Sequence, residues 1–285
     1  MKNKSVTAIK YIAGQAQNTF ESLAREEALQ IKINGRAYTI TMRTPGQDEI
    51  LASGLLFTEG IIHCPEDVLA LTQLPAMQGD YTLIVEVAVK EEVLKGKNLF
   101  NRSIASSASC GVCGKTELCD MVTPDSLLTT SKKLDVCLIP RLLEQMNARQ
   151  SVFELTGGSH AAAIFNIRGE LLSVQEDIGR HNAVDKAIGD LFLRNMLSEA
   201  AVLFISGRVS YEIVIKCAQA GIPFLLAVSA PSSLAVEVCH QKGITLVGFC
   251  RENRATVYTH ENNILQQATQ TDQHHEAPHI KSPVY

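Results

Sequence analysis

Two cysteines, Cys110 and Cys113, lie in the segment Ser-Ala-Ser-Cys-Gly-Val-Cys-Gly-Lys, which spans 107–115. The glycine after each cysteine favours neither a helix nor a strand, and the polar residues upstream are typical of a mobile surface loop. A thiol on such a loop can reach two partners in turn, which is what carrying a sulfur atom, a disulfide or a metal requires. Lys115 is close enough in sequence to lower the pKa of a thiol and so raise its reactivity.

The Cys-x-x-Cys pair has several chemical interpretations in a chain without a secretory signal. It is typical of a redox dithiol, of half a zinc site, or of a sulfur carrier. Zinc needs four ligands, and although Cys119 and a distant histidine could complete a set, there is no second Cys-x-x-Cys. The residues around the pair are not diagnostic of a thioredoxin-like motif. Two inert thiols are the remaining alternative.

Polar, glycine-rich segments follow several apolar runs that are typical of buried strands. These segments span 157–160, 176–181, 206–210 and 248–254. Because the ends of neighbouring strands meet at one edge of an α/β sheet, we expect their glycine, serine, arginine and histidine residues to line a ligand crevice. Together they predict a large, anionic, nucleotide-like ligand. Helix capping and solvated turns are the alternative for each segment taken alone.

The remaining sequence predicts the elements that position these segments. Alternating apolar and polar residues around Asn34-Gly35 predict a hairpin over 28–42, followed by a helix over 48–56. A strand is predicted over 81–90, which makes the N-terminal third a small β-rich layer. Further strands are predicted at 161–167 (or a short helix), 171–175, 201–206, 224–228 and 245–248, and helices at 140–152, 182–196, 211–220 and 232–242. The first of these helices is expected to bury Leu142, Leu143, Met146 and Phe153 on one face.

This alternation indicates a three-layer α/β core. We expect four parts: a β-rich N-terminal part over 1–105, the mobile Cys-x-x-Cys loop over 106–120, the α/β core over 121–262, and a tail over 263–285. The tail is polar and aperiodic and is predicted to be disordered. Its histidines could bind metal adventitiously, and no resident metal site is predicted.

Composition excludes several classes of protein. The chain has 285 residues, of which 46% are hydrophobic and 20% charged, and its net charge of −4 argues against nucleic acid as a partner. No apolar run approaches the ~20 residues of a membrane span, and no signal peptide is evident, so a cytoplasmic location is expected. Of the eight cysteines, Cys217, Cys239 and Cys250 lie among apolar neighbours and are expected to be buried.

Several segments together resemble one family, the accessory sulfurtransferases of formate dehydrogenase, or FdhD family. The resemblance covers about 43–260, and its segments are Thr44-Pro45, 55–62, 109–115, 156–162, 176–186, 206–210 and 229–235. Their joint occurrence in this order is highly specific.

The resemblance implies a function. Such proteins take sulfur from a cysteine desulfurase as a cysteine persulfide and pass it to the molybdenum or tungsten of a bis(molybdopterin guanine dinucleotide) cofactor, which then enters formate dehydrogenase. The resemblance also implies a core similar to that of cytidine deaminases, and a homodimer. The chain lacks the His-x-Glu and Pro-Cys-x-x-Cys zinc signature of deaminases, so deamination is disfavoured.

The resemblance also implies roles for individual residues. Cys110 is expected to carry the persulfide, and Cys113 to assist by releasing sulfur through a disulfide. The residues expected to line the cofactor pocket are Phe249, Cys250, Arg251, Glu252, Asn253 and Arg254. From their position at strand ends, and not from the resemblance, a further set of residues is expected to contact the guanine and pyrophosphate groups: Gly157, Gly158, His160, Arg180, His181, Ser206 and Arg208. The alternatives are a cofactor-binding chaperone, a zinc- or redox-active Cys-x-x-Cys protein, and a nucleotide hydrolase.

Overall fold

The computed structural model describes residues 2–75, 83–97 and 127–265. The Cys-x-x-Cys loop and nearly all of the predicted tail therefore lie outside the described residues. Within those ranges the strands are β1 (Asn3–Ile12), β2 (Gln15–Ala24), β3 (Glu27–Ile33), β4 (Arg36–Arg43), β5 (Val68–Leu74), β6 (Leu83–Val89), β7 (Leu134–Asp135), β8 (His160–Phe165), β9 (Leu171–Asp177), β10 (Val202–Ile205), β11 (Phe224–Ala227), β12 (Thr245–Arg251), β13 (Arg254–Val257) and β14 (Ile264–Leu265). The α-helices are α1 (Asp48–Thr58), α2 (Glu91–Leu94), α3 (Leu138–Asn147), α4 (Ser151–Thr156), α5 (Arg180–Leu193), α6 (Tyr211–Gln219) and α7 (Ser233–Lys242).

The largest sheet has six strands in the order β13-β12-β11-β10-β8-β9. Strands β10, β11 and β12 are parallel to one another, and β8 is antiparallel to both of its neighbours. The carboxyl ends of β9, β10, β11 and β12 therefore lie at the same edge as the amino end of β8. In open α/β sheets this edge is where ligands bind.

Apolar side chains from helices cover both faces of this sheet. On one face, Leu142 and Met146 of α3 belong to a buried cluster with Phe165 and Phe204. On the other face, α5, α6 and α7 share a larger cluster with inward-facing strand residues such as Leu203. Each large aliphatic or aromatic side chain buried in this way contributes about 1.5–3 kcal/mol to folding. The protein thus has a mixed α/β fold, as the sequence pattern predicts.

The N-terminal part contributes a four-stranded sheet in the order β4-β3-β6-β5. Asn34 and Gly35 both have positive φ, 47° and 79°, as a tight hairpin turn between β3 and β4 requires. Helix α1 then packs directly against α5. A Cβ placed on Gly54 of α1 would lie only 1.9 Å from the backbone oxygen of Asp185, so the two helix backbones touch. The N-terminal layer and the central sheet consequently share one hydrophobic core.

The structure corrects the prediction of one helix over 140–152. The segment instead forms α3 and α4, because the chain turns at 148–150 after α3 ends. Phe153 belongs to α4 and is 49% exposed, so it does not share the buried face of Leu142. The residues 248–254, predicted as the end of a strand and a turn, form a hairpin between β12 and β13 with an irregular register near Gly248.

Three further features differ from the sequence pattern. The ribbon of β1 and β2 was not predicted, since its strands have no marked turn signal between them. Strand β9 extends through Asp177, so Glu176 and Asp177 are strand residues rather than loop residues. The first residues of the predicted tail are not disordered, because they include β14, which pairs with β7 in parallel.

No helix in the described ranges is both long and apolar enough to cross a membrane.

Candidate ligand-binding site

A cavity of about 570 Å³ lies at the sheet edge where the parallel strands end. Its volume is within the range of about 300–1,000 Å³ that small-molecule sites occupy. Five residues predicted from the sequence line it: Gly157, Gly158, His160, Ser206 and Arg251. The other lining residues are Leu143, Asn147, Gln150, Phe153, Ser159 and Val228. The structure therefore brings together side chains from three of the polar segments that follow or precede central strands.

One wall of this cavity is the segment from α4 to β8. Helix α4 ends at Thr156 and is followed by Gly157, whose φ of 63° is in the left-handed region that favours glycine. The buried carboxylate of Glu176 accepts hydrogen bonds from the backbone N–H groups of Val152 at 2.9 Å and Phe153 at 2.8 Å. It also accepts one from the hydroxyl of Ser159 at 2.8 Å. The Glu176 carboxylate therefore holds both the start of α4 and Ser159, the residue before β8.

A cationic cluster lies where β8, α5 and the end of β10 meet. A Cβ on Gly207 would be 3.5 Å from Cβ of Arg180 and from Nδ1 of His160, which places these two side chains beside the chain at 206–208. Burial lowers the pKa of His160, and the charges of Arg180 and Arg208 lower it further, so the neutral imidazole predominates at neutral pH. The cluster's positive charge therefore comes from its arginines.

Arg180 has an unused hydrogen-bond donor in this cluster. Its Nε is buried and has no partner in the part of the chain that the structure describes. A buried donor without a partner costs about 1–3 kcal/mol, and an anionic ligand oxygen is a group that would satisfy it. The cluster is therefore suited chemically to phosphate or carboxylate groups.

His181 lies outside the lining of the cavity. Its Nε2 is 3.3 Å from Oγ of Ser210 and 3.9 Å from the carboxylate of Glu212, in the contact between α5 and α6. Burial lowers the pKa of His181 to about 4, with the charge of Arg180 as the next largest cause. The neutral His181 side chain therefore packs between α5 and α6 and not in the cavity.

The β12–β13 hairpin places the six residues of 249–254 in different surroundings. Only Arg251 lines the cavity, while Glu252, Asn253 and Arg254 are exposed around the turn and Phe249 has a positive φ of 52°. The thiol of Cys250 faces the core, 3.7 Å from the backbone oxygen of Val247, and burial raises its pKa to about 12. Cys250 belongs to the same buried cluster as Val247, three residues earlier, because the strand register shifts between Gly248 and Arg251.

Beneath the cavity edge, Asp177 is the centre of a buried polar network that the sequence does not reveal. Its carboxylate accepts hydrogen bonds from Nζ of Lys186 at 2.6 Å and from the backbone N–H groups of Thr44 at 3.1 Å and Gly179 at 2.8 Å. Lys186 also donates to the backbone oxygen of Thr44. The network ties the start of α5 to the N-terminal layer.

A second buried pair joins the same layers farther along α5. Nζ of Lys216 lies 2.7 Å from the carboxylate of Asp185, which also accepts a hydrogen bond from Thr58 of α1 at 2.7 Å. The sequence pattern predicts ligand contacts, helix caps or solvated turns over 176–181. Asp177 is instead buried and paired within the protein, as are Asp185 and Lys186 farther along the chain.

The cysteines divide by burial. Cys110 and Cys113 lie outside the described residues, so their predicted roles remain predictions. Cys217, Cys239 and Cys250 are buried, as the sequence predicts, and burial raises the pKa of each thiol. Cys64 and Cys137 are exposed. Among described residues, no cluster of three or more histidine, cysteine or acidic side chains could hold a metal ion.

The fold and site define a mixed α/β protein with a ligand cavity at one edge of its central sheet. The model of the FdhD/NarQ family matches residues 24–265, so the chain belongs to this family.

Named relatives are similar over most of the chain. A protein of Mycolicibacterium paratuberculosis named "Sulfur carrier protein FdhD" is 42% identical over 259 residues, 88% of this chain and 95% of that protein. A protein of the same name from Sulfolobus acidocaldarius is 38% identical and covers 93% of this chain and 99% of its own length. The crystal structure of a candidate formate dehydrogenase accessory protein from Desulfotalea psychrophila has the same fold, with a TM-score of 0.73 at 24% identity, over 93% of this chain and all of that one.

Proposed function

We propose that this chain is a sulfurtransferase that matures formate dehydrogenase. In this proposal Cys110 accepts sulfur from a cysteine desulfurase and delivers it to the molybdenum or tungsten of a bis(molybdopterin guanine dinucleotide) cofactor. The observation that carries the proposal is the 42% identity, over 88% of the chain, to a protein named as a sulfur carrier. A cytidine-deaminase-like core, a homodimer and a cytoplasmic location belong to the same proposal.

The sulfur chemistry balances with the two cysteines and one external reductant. The Cys110 thiolate attacks the terminal sulfur of the desulfurase persulfide, the donor's S–S bond breaks, and the desulfurase cysteine leaves as a thiolate. Cys110 then carries a persulfide. Attack by the Cys113 thiolate on the Cys110 sulfur forms a disulfide and expels hydrosulfide, which is the reduced form delivered to the metal. A dithiol reductant restores both thiols.

The cavity is proposed to hold the guanine nucleotide end of the cofactor, which is the cargo of the reaction. Its volume of about 570 Å³ and Arg251 in its lining support this assignment. Arg180 does not line the cavity but lies beside Gly207, next to the lining residue Ser206. The buried, unpartnered Nε of Arg180 is a donor suited to a pyrophosphate oxygen, and Arg208 and Arg251 add positive charge. The neutral side chain of His160 is a candidate hydrogen-bond partner for the base or the ribose.

The sulfur-carrier role is tested by intact mass after incubation with a cysteine desulfurase and cysteine. We expect a gain of about 32 Da, reversible by dithiothreitol, in the parent chain and in Cys113→Ala, and no gain in Cys110→Ala. Cys137→Ala is the control, because Cys137 is also exposed and should leave the uptake unchanged. No uptake by any variant, with an active desulfurase, would leave a cofactor chaperone or a zinc protein as the better assignment.

The cavity assignment is tested separately with GDP as the probe. Isothermal titration of the full chain should give weaker binding in the Arg208→Ala, Arg251→Ala double variant. Glu252→Ala is the control, because this exposed neighbour does not line the cavity. Equal GDP affinity in the parent and the double variant would remove these arginines from the site, and turnover of GTP or CTP would favour a hydrolase.

A further inference from the structure

A second cavity, of about 370 Å³, lies at the edge of the central sheet that is opposite to the ligand cavity. Its lining includes residues 219–221, which follow α6, and Asn195, Leu197 and Ser198, which precede β10. Because β10 and β11 are parallel, α6 begins beside the carboxyl end of β10 and ends beside the amino end of β11. This amino-edge cavity is therefore a separate feature of the fold, and its volume is within the range of about 300–1,000 Å³ of small-molecule sites.

The amino-edge cavity has an apolar base and a polar rim. Phe57 of α1 and Phe192 of α5 are both buried, and their ring centroids lie 4.9 Å apart. Cys64, Lys132 and Ser198 are exposed at the rim. The other lining residues are His63, Pro65, Asn195, Leu197, Ala200, Gln219, Ala220 and Gly221. No described lining residue is acidic, so the cavity suits a ligand with an apolar body and no positive charge.

Lys132 supplies the cavity with a positive charge. Its backbone N–H is hydrogen-bonded to Thr130, but within the described ranges no group pairs with its ammonium. The ammonium of Lys97, on the other side of His63, is already used. It donates to two backbone oxygens, at 2.8 and 2.9 Å, and lies 3.4 Å from Nε2 of His63. The carboxylate of a bound ligand is thus a group that Lys132 can pair with.

The two helices that end at the amino-edge cavity have capped ends. In α5, the backbone oxygen of Phe192 accepts a hydrogen bond from the backbone N–H of Asn195 at 3.0 Å. In α6, the backbone oxygen of Ala218 accepts one from Gly221 at 2.9 Å. Because unpaired carbonyl groups are what attract a cation to the end of a helix, capping reduces that attraction. An anionic ligand is therefore favoured over a cationic one.

The thiol of Cys64 adds a reactive group to the rim of this cavity. Partial desolvation raises the pKa of Cys64, as do hydrogen bonds to Glu66 and Asp67 and the charges of these two residues. Cys137 is exposed as well, and desolvation and the neighbouring Asp135 raise its pKa in the same direction. The two thiols differ in that only Cys64 lines the cavity. A large difference in their rates towards one reagent would therefore report on the cavity.

We propose that the amino-edge cavity binds small organic disulfides that carry a carboxylate, and that Cys64 exchanges with them to form a mixed disulfide. The apolar body lies on the aromatic base, and the carboxylate pairs with Lys132. The Cys64 thiol loses its proton to water, and its thiolate attacks one sulfur of the bound disulfide. The S–S bond of the ligand breaks, and its other half leaves as a thiolate. Cys64 is oxidised and the departing half is reduced, so no further co-reactant is needed.

The mixed disulfide is a reversible modification that does not involve the proposed sulfur carrier. A small thiol that attacks it restores the free Cys64 thiol. The amino-edge cavity and the ligand cavity share no lining residue and lie at opposite edges of the sheet. A failure at Cys64 would therefore leave the proposal for Cys110 standing, and the reverse also holds.

The test is the rate at which each cysteine of the full-length chain is modified, measured by acid quenching and peptide mass. Two aromatic disulfides are the probes: bis(carboxynitrophenyl) disulfide, which carries carboxylates, and dipyridyl disulfide, which is uncharged. We expect Cys64 to react with the anionic probe about tenfold faster than Cys137, because binding in the cavity raises the local concentration of the disulfide. Cys64→Ser should lose this fast reaction and leave the rate at Cys137 unchanged.

Two lysine variants test the ion pair with the ligand. Lys132→Gln should slow the reaction of Cys64 with the anionic probe about fivefold, the effect of one exposed ion pair, and should leave the rate with dipyridyl disulfide unchanged. Lys133→Gln is the matched control, since it removes the same charge one residue farther along and outside the lining. It should leave both rates unchanged. Both lysines are exposed, so both variants should unfold at the temperature of the parent chain.

Equal rates at Cys64 and Cys137 with both probes would overturn the inference, because the cavity would then contribute nothing. A faster reaction of Cys64 with both probes alike, unaffected by Lys132→Gln, would overturn the anionic class of ligand. Equal slowing by the two lysine variants would reveal a general effect of net charge and would overturn the pairing with Lys132. Whichever way the probes react, Cys64→Ser should take up sulfur on Cys110 as the parent does, which keeps the two proposals distinguishable.

Discussion

Nζ of Lys186 lies 2.6 Å from Oδ2 of Asp177, and both side chains are almost completely buried. The pair joins α5 to the end of β9, and through Thr44 it reaches the N-terminal layer. Burial lowers the pKa of Lys186, and the facing carboxylate of Asp177 opposes this effect. The ammonium is therefore retained in the interior by its partner, and the start of α5 depends on the pair.

Replacing Lys186 by methionine should destabilise the protein by about 3–5 kcal/mol, because it leaves the Asp177 carboxylate buried without its cation. Lys10→Met is the control, since Lys10 is exposed and its pair with Glu21 at 3.8 Å contributes less than about 1 kcal/mol. Urea unfolding of the parent chain and of the two variants gives the free energy of unfolding of each. A cost below about 1 kcal/mol for Lys186→Met would show that the network relaxes or admits water.

The crossing of α1 and α5 predicts opposite results for two adjacent substitutions. Gly54→Ala should cost about 3 kcal/mol or more, because its Cβ would lie 1.9 Å from the backbone oxygen of Asp185 and the helices would have to separate. Ser53→Ala should be neutral or stabilising, since the buried Ser53 hydroxyl has no partner within the described part of the chain. Thermal and urea unfolding measure both. Equal effects would mean that α1 shifts freely along α5.

The sequence predicts regular elements well where the signal is local. Asn34-Gly35 allows the positive φ values of a tight turn, and short apolar runs bounded by glycine or proline correspond to β10 and β11. The ribbon of β1 and β2 has no such signal, since its larger apolar side chains, such as Tyr11 and Phe20, are exposed and its turn is Ala13-Gly14. Its existence depends on pairing between strands rather than on a hydrophobic pattern.

The site was predictable in outline and not in detail. Strand-end segments meet at one sheet edge, which is why five predicted residues line the cavity. The direction of the Cys250 side chain depends on the irregular register between β12 and β13. The hydrogen bonds that Glu176 accepts depend on α4, where Val152 lies 24 positions earlier in the chain. Contacts between distant segments leave no pattern in a single sequence.

Lowering the pH should destabilise the protein in a window that is set by the pKa of His181. Burial holds the folded pKa at about 4, below the ordinary 6.5, so the unfolded chain binds the proton more readily between these values. Stability is therefore intact above about pH 6.5 and decreases as the pH falls towards 4, by at most about 3 kcal/mol from this group. The unfolding free energies of the parent and His181→Gln, measured from pH 7 to 4.5, should converge as the pH falls. Parallel profiles would exclude His181 as the cause.

Glu176 should position the cavity wall, because its carboxylate receives hydrogen bonds from Val152, Phe153 and Ser159 at once. A glutamine there offers one acceptor oxygen and an NH₂ group that faces N–H donors. We expect Glu176→Gln to weaken GDP binding about tenfold, or about 1.4 kcal/mol, and to reduce stability by about 1–2 kcal/mol.

Two comparisons separate positioning by Glu176 from general destabilisation. Glu170→Gln alters an exposed carboxylate paired with Arg168 and should leave both GDP affinity and stability unchanged within error. Gly54→Ala should lose more stability than Glu176→Gln and yet, at temperatures where it remains folded, bind GDP more tightly than Glu176→Gln does, because Gly54 lies at the contact of α1 with Asp185 and does not line the cavity. Titration calorimetry and urea unfolding on the same samples give both quantities. If affinity followed stability across all three variants, Glu176 would be an ordinary buried hydrogen-bond acceptor and not a determinant of the site.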